Sequence, residues 1–351
     1  MKFIISLFII SSLFAQRQLI NATGKYMVGT HIWQWETPFE DQLTDKVNDK
    51  RTLVVQAWYP AQAASDKIAD YGKWVSNYQG FYSHSYDDAE INRSIRSAHL
   101  IVIAPGRGTE RFFYTMLAEE FASHGYIVIS IDIPHTGDVT YESGERVPPN
   151  QKYKPPSGLL TGPYEKVDEF FVEAVTLGAR DIAFALKKIE EENARFFKGK
   201  LDMSRMGLYG HSLGGRIGGQ AVADDPRFKA FITMEAVAPR DIRRNGMSAA
   251  VVMCLSKAIV PYAIFNIGEV VPLRKSDTYI IILDKFGHNS MTDIPVLDPN
   301  AYNYEVDPHT AMKISRELLL RFFDQYVDQK KIKLSEYKND LVEIDYFSKK
   351  R

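Results

Sequence analysis

The sequence predicts an α/β protein, a mostly parallel central sheet flanked by helices. Three observations predict it. Short apolar runs recur between amphipathic stretches of helical spacing. The runs Ile101-Val102-Ile103 and Ile280-Ile281-Ile282 are apolar without alternation, as strands covered on both faces are. Most runs stop at proline, glycine or a charged residue, the punctuation of a strand leaving its sheet.

In chain order, the first segment stands apart. Lys2 precedes an apolar stretch from Phe3 to Phe14 relieved only by serines, followed by Ala15-Gln16. This has the form of a secretory signal over residues 1–15, too short to span a bilayer, which needs about 20 apolar residues. Export, to the periplasm or beyond the cell, is therefore expected, with residues 16–351 forming one catalytic domain. Strands are expected at 52–59, 99–104, 126–133, 205–209, 228–234, 249–255 and 278–283. Helices are expected where Val167, Phe171, Ala174, Gly178, Ile182, Ala185 and Ile189 share a face, and again at Ala311, Ile314, Leu318 and Phe322 behind a cap at Asp307-Pro308. Two stretches, 61–95 and 136–163, lack either period and read as insertions; the first carries Trp74, Tyr78, Phe81, Tyr82 and Tyr86, the second Pro148, Pro149, Pro155 and Pro156. Long ordered loops of this kind commonly carry function.

Composition excludes several classes. A formal net charge of −1 with interspersed charges leaves no footprint for nucleic acid. One cysteine, Cys254, excludes an internal disulfide and, lying in an apolar run, reads as a core residue. No His-Glu-x-x-His or paired Cys-x-x-Cys spacing occurs, so no metal is expected, and Gly106-x-Gly108 lacks the remainder of a dinucleotide fingerprint, so no cofactor is expected.

Positive evidence for chemistry centres on Gly210-His211-Ser212-Leu213-Gly214. It follows the run Met206-Gly207-Leu208-Tyr209 and opens a small-residue segment, the setting of a nucleophile elbow in an α/β-hydrolase fold. A serine nucleophile needs a base, and the base needs a carboxylate to fix its tautomer. Only His288 and His309 follow Ser212; His288 lies in the loop after a strand, whereas His309 falls in a helix's first turn, so His288 is the expected base. For the acid, residues 252–257 hold no carboxylate; Glu235, directly after a strand, is preferred and Asp241 is its rival. The backbone N–H groups of Leu213 and of Arg107, in Pro105-Gly106-Arg107-Gly108, are the expected oxyanion donors. The Arg107 side chain either stays solvated or meets an anionic substrate. His211 reads as structural, His124 as a helix cap, and His135 as a candidate pocket residue.

These pieces, with Gly24-Lys25-Tyr26-Met27-Val28-Gly29-Thr30, Val55-Gln56-Ala57-Trp58-Tyr59-Pro60, the stretch from Glu119 to Val128, Arg180-Asp181-Ile182 and Asp225-Pro226-Arg227-Phe228-Lys229-Ala230, resemble in their order the secreted, calcium-independent platelet-activating-factor acetylhydrolases and their bacterial relatives. The resemblance covers most of residues 24–325. It implies Ser212 as nucleophile, His288 as base, and an acid just after the following strand, favouring Glu235. Glu235 departs from the aspartate of better-known members, and Pro105 from a common histidine. The expected function is a serine carboxylic-ester hydrolase working through an acyl-enzyme on a small-molecule or lipid ester, short or oxidised acyl chains of phospholipids, with contact at a membrane interface. The alternatives are a broad esterase or polyester hydrolase without phospholipid preference and, from another class, a non-catalytic binding protein.

Overall fold

The computed structural model describes residues 17–41, 43–44, 48–63, 67–70, 81–161, 164–236, 245–260, 270–298 and 305–350. The expected signal segment, Asp241, Trp74 and Tyr78 lie outside the described residues. The described chain opens on the strands β1 (Arg17–Gln18), β2 (Met27–Glu40), β3 (Lys50–Ala61), β4 (Ile68–Asp70) and β5 (Phe81–Asp87). Then come β6 (Ala98–Ala104), α1 (Thr115–Ser123), β7 (Ile127–Asp132), a small hairpin of β8 (Val139–Thr140) and β9 (Arg146–Val147), and α2 (Tyr164–Arg195). The rest alternates: β10 (Leu201–His211), α3 (Leu213–Asp224), β11 (Phe228–Met234), β12 (Ala250–Ser256), β13 (Thr278–Leu283), α4 (Ile294–Leu297), α5 (Pro308–Tyr326) and β14 (Val342–Phe347).

The main sheet runs β1-β5-β2-β3-β7-β6-β10-β11-β12-β13-β14, with β4 paired to β5. It is parallel from β7 through β13; β3 pairs antiparallel with both β2 and β7, and β14 closes the far edge antiparallel to β13. Alternate residues of one strand feed two cores. Leu100 and Val102 join the face covered by α2 and α3, while Ile101 and Ile103 join the face covered by α1 and α5. Continuous apolar runs follow from this two-sided cover. Cys254 is a free thiol buried in the second core, and burial pushes its pKa well up, consistent with an inert packing residue.

All seven expected strands form, and both expected helices, with Asp307 accepting from the Thr310 N–H as the cap of α5. The reading of 61–95 as an insertion needs correction: residues 81–87 are strand β5, paired parallel with β2. Its buried face carries Ser83 and Ser85 and its more open face Tyr82, His84 and Tyr86, so hydrophobic alternation gave no sign of it. Among the described residues of 136–163, the regular structure is the β8–β9 hairpin and short 3-10 turns, as in an insertion.

The order in which strands are added reverses at β6: β7 lies on one side of it and β10 on the other, all three parallel. At such a switch point the loops leaving the carboxyl ends of adjacent strands diverge and open a crevice. The loops after β6 and β10 carry Gly106 and Ser212.

Candidate active site

Ser212 occupies the turn between β10 and α3 with φ 51° and ψ −123°, a left-handed conformation that costs a non-glycine residue about 1–3 kcal/mol. Its N–H is tied to the Met234 carbonyl at 2.8 Å. The turn closes only because its neighbours lack side chains: a Cβ on Gly214 would sit inside the Ala104 carbonyl. Leu213 begins α3, so its N–H is one of those a helix leaves without an internal partner.

The loop after β6 approaches from the other side. A Cβ on Gly106 would lie 2.9 Å from His211 Nδ1 and 3.1 Å from Ser212 Cβ, so the backbone itself packs on Ser212. The Gly106 carbonyl accepts from Thr109 N at 3.2 Å and from Thr109 Oγ1 at 2.9 Å. In a trans peptide the N–H points opposite to the C=O, so these bonds aim the Arg107 N–H away from Thr109.

Glu235 immediately follows β11, also at positive φ (53°), with its N–H bonded to the Cys254 carbonyl at 2.9 Å. Its carboxylate is buried and accepts from Ser256 N–H and, at 3.1 Å, from Ser256 Oγ. His288, in the loop after β13, brings Nδ1 to 3.5 Å from Glu235 Oε2. The His288 side chain is 48% exposed, against 2% for that of Glu235. No hydrogen bond joins Ser212 Oγ to His288 among the described residues; such bonds commonly tighten only when substrate binds.

Ser212, Leu213, Arg107, Glu235 and His288 all line one cavity of about 320 Å³. Its remaining wall is mostly apolar: Pro155 and Leu160 from the 136–163 segment, Phe171 and Ile259 among them. Two arginines reach it. Arg216 is held by Asp168 at 2.7 Å. Arg107, expected in solvent, instead lines the cavity, with Nε closed off from water and without a hydrogen-bond partner; desolvation holds its pKa below the usual value.

Other histidines fall elsewhere. His135 is turned to Asp41, 2.7 Å from Oδ2, and does not line the cavity. His124 caps the carboxyl end of α1, and His309 lies in the first turn of α5. His211 is fully buried, and desolvation, with the neighbouring His288 adding to it, pushes its pKa down to about 3, so its ring is neutral at ordinary pH. Two residues of the site escaped sequence reasoning: Ser256, which holds the Glu235 carboxylate, and Tyr114, whose hydroxyl accepts from the Gly106 N–H at 2.9 Å.

A serine on a strained strand-to-helix turn at the switch point of such a sheet defines the α/β-hydrolase fold class. A family model described as "Platelet-activating factor acetylhydrolase, isoform II" matches residues 171–344, a stretch running from α2 to β14 and containing Ser212, Glu235 and His288. The chain carries that family's pattern over this stretch and is a serine hydrolase of carboxylic esters. Among solved structures, a ferulic acid esterase from Streptomyces cinnamoneus is similar over 94% of this chain and 99% of its own, with TM-score 0.78 and 17% sequence identity, a likeness of fold. No curated protein matches the chain by sequence.

Proposed function

We propose that the protein hydrolyses carboxylic esters through an acyl-enzyme formed on Ser212. His288 takes the Ser212 proton as Oγ attacks the ester carbonyl, and returns it to the departing alcohol as the C–O bond breaks. Water then adds to the acyl-enzyme with His288 again as base, releasing the acid and restoring Ser212. Glu235 orients His288 and stabilises its charged form. The N–H groups of Leu213 and Arg107 stabilise the oxyanion in both tetrahedral intermediates. One observation carries the reading: three residues from three separate loops, each the type its role requires, line one cavity with two backbone donors.

The proposed substrates are phospholipids bearing short or oxidised acyl chains. The family match supports this, as does the pairing of an apolar wall with the Arg107 guanidinium, whose Nε is buried without a hydrogen-bond partner and whose charge is felt by Asp138. A lipid phosphate or the carboxylate of an oxidised chain would complement that charge. Leu160, 51% exposed at the cavity, supports contact with a membrane interface. We further propose export through residues 1–15; sequencing the mature N-terminus, expected at Gln16, tests it.

The decisive experiment is labelling with a fluorophosphonate and peptide mapping, beside Ser212→Ala, over esters of rising chain length in solution and in phosphatidylcholine vesicles. Labelled Ser212 and a loss of at least about 10³ in kcat/KM in the variant are expected. No label on Ser212, or unchanged hydrolysis by the variant, refutes the mechanism. Turnover confined to soluble short esters rejects the phospholipid substrate and leaves a broad esterase.

A further inference from the structure

His211 occupies a position inside the elbow that the chemistry does not use, yet both of its ring nitrogens are engaged. Its Nε2 is 2.7 Å from the backbone carbonyl of His288, and its Nδ1 is 2.9 Å from the Tyr114 hydroxyl. That hydroxyl is in turn 2.9 Å from the Gly106 N–H and 2.9 Å from Thr109 Oγ1. Tyr114 and His211 are both sealed from solvent.

The protons of this chain have one consistent order. A carbonyl only accepts, so the proton of neutral His211 is on Nε2 and is donated to His288. Nδ1 is then bare and accepts from the Tyr114 O–H. Tyr114, its own proton committed, accepts from the Gly106 N–H, and the single Thr109 hydroxyl proton goes either to the Gly106 carbonyl or to the Tyr114 oxygen. Each link fixes the next. At one end is the backbone of the residue that carries the base, and at the other the N–H of Gly106, the residue directly before the Arg107 N–H proposed for the oxyanion.

We propose that His211 is a positioning residue that, through Tyr114, ties the base loop at His288 to the oxyanion loop at Gly106, so that the two halves of the site hold one geometry. The inference rests on the roles proposed for Ser212 and His288. Its consequence is catalytic rather than binding: neither His211 nor Tyr114 lines the cavity, so breaking the chain misplaces groups that act in the transition state.

The test is the kinetics of Tyr114→Phe, His211→Gln and the double variant on a soluble short-chain ester. Each single variant is expected to lose about 10- to 100-fold in kcat, the scale of a small misplacement, with KM within about threefold. The double variant is expected to lose no more than the worse single, because either change severs the same chain. Losses that multiply, or that fall on KM alone, overturn the coupling. Long-range ¹H–¹⁵N correlation on the wild-type protein provides a second measurement that needs no variant. A neutral His211 protonated on Nε2 from about pH 5 to about pH 8 is expected; an Nδ1–H ring, or a ring that gains a proton within that range, overturns it. Fluorophosphonate labelling separates the two failures. A labelled Ser212 with multiplying losses removes the coupling alone, whereas an unlabelled Ser212 removes the roles on which it rests.

Discussion

The two sides of Ser212 are built differently. On the oxyanion side, Gly106 packs its backbone against the nucleophile, Thr109 and Tyr114 hold the loop by hydrogen bonds, and Tyr114 and His211 have no access to water. On the base side, Glu235 is clamped by Ser256 but His288 stands half in solvent, 3.5 Å from the carboxylate. The difference follows from the tasks. Backbone dipoles stabilise a transition state only if they are aligned beforehand, because realigning them during the reaction costs the energy they would supply. A base must move a proton between serine and leaving group, and a ring with some freedom does so.

Three measurements probe that contrast. The largest effect is expected on the base side, where the charge matters more than the fit. Glu235→Gln keeps the shape but not the charge and should lower kcat about 10³–10⁴-fold, as loss of the orienting acid does in serine triads. A loss below about tenfold would transfer the acid's role to another carboxylate. On the oxyanion side the fit matters more. Gly106→Ala adds one methyl group 2.9 Å from His211 Nδ1 and 3.1 Å from Ser212 Cβ. It should lower kcat about 10²-fold with little change in KM, and a variant as active as wild type would show that the loop yields.

The smallest effect is on stability. The His211 pKa, about 3 in the fold, lies below the ordinary histidine value, so folding favours its neutral form. That contribution is whole above about pH 6.5 and is lost as pH falls from there toward 3, at about 1.4 kcal/mol per unit. Between pH 7 and pH 5, urea unfolding should show wild type losing about 2 kcal/mol more than His211→Gln, whose side chain does not titrate. Equal losses would mean that the ring is not held neutral.

Much of this architecture was legible in the sequence, and the exceptions have physical causes. The strands from β6 to β13 are buried on both faces and announce themselves as apolar runs. Strand β2 alternates, with Trp33 and Thr37 buried and Gln34, Glu36 and Pro38 exposed, a weaker pattern broken by polar and imino residues. In β5 the pattern is inverted by Ser83 and Ser85, which face inward; Ser85 Oγ bonds Glu119, a partner found only in three dimensions. The site divides in the same way. Ser212, Glu235 and His288 follow from residue type, chain order and position after strands. Tyr114 and Ser256 do not, because hydroxyls are common and only the fold brings them against Gly106 and Glu235. His135 shows the converse: a histidine at a strand's carboxyl end that Asp41 draws out of the site.

The cavity walls also differ in their capacity to change. Behind Ser212, Gly106 and Gly214 sit in contacts that leave no room for a Cβ, so that side tolerates almost no drift in sequence. Pro155, Leu160 and Ile259 belong to segments outside the sheet, and Leu160 is largely open to solvent. Substitutions there would resize the cavity without touching Ser212, Glu235 or His288. A lineage carrying this scaffold can thus explore new esters one roof residue at a time while its chemistry stays constant.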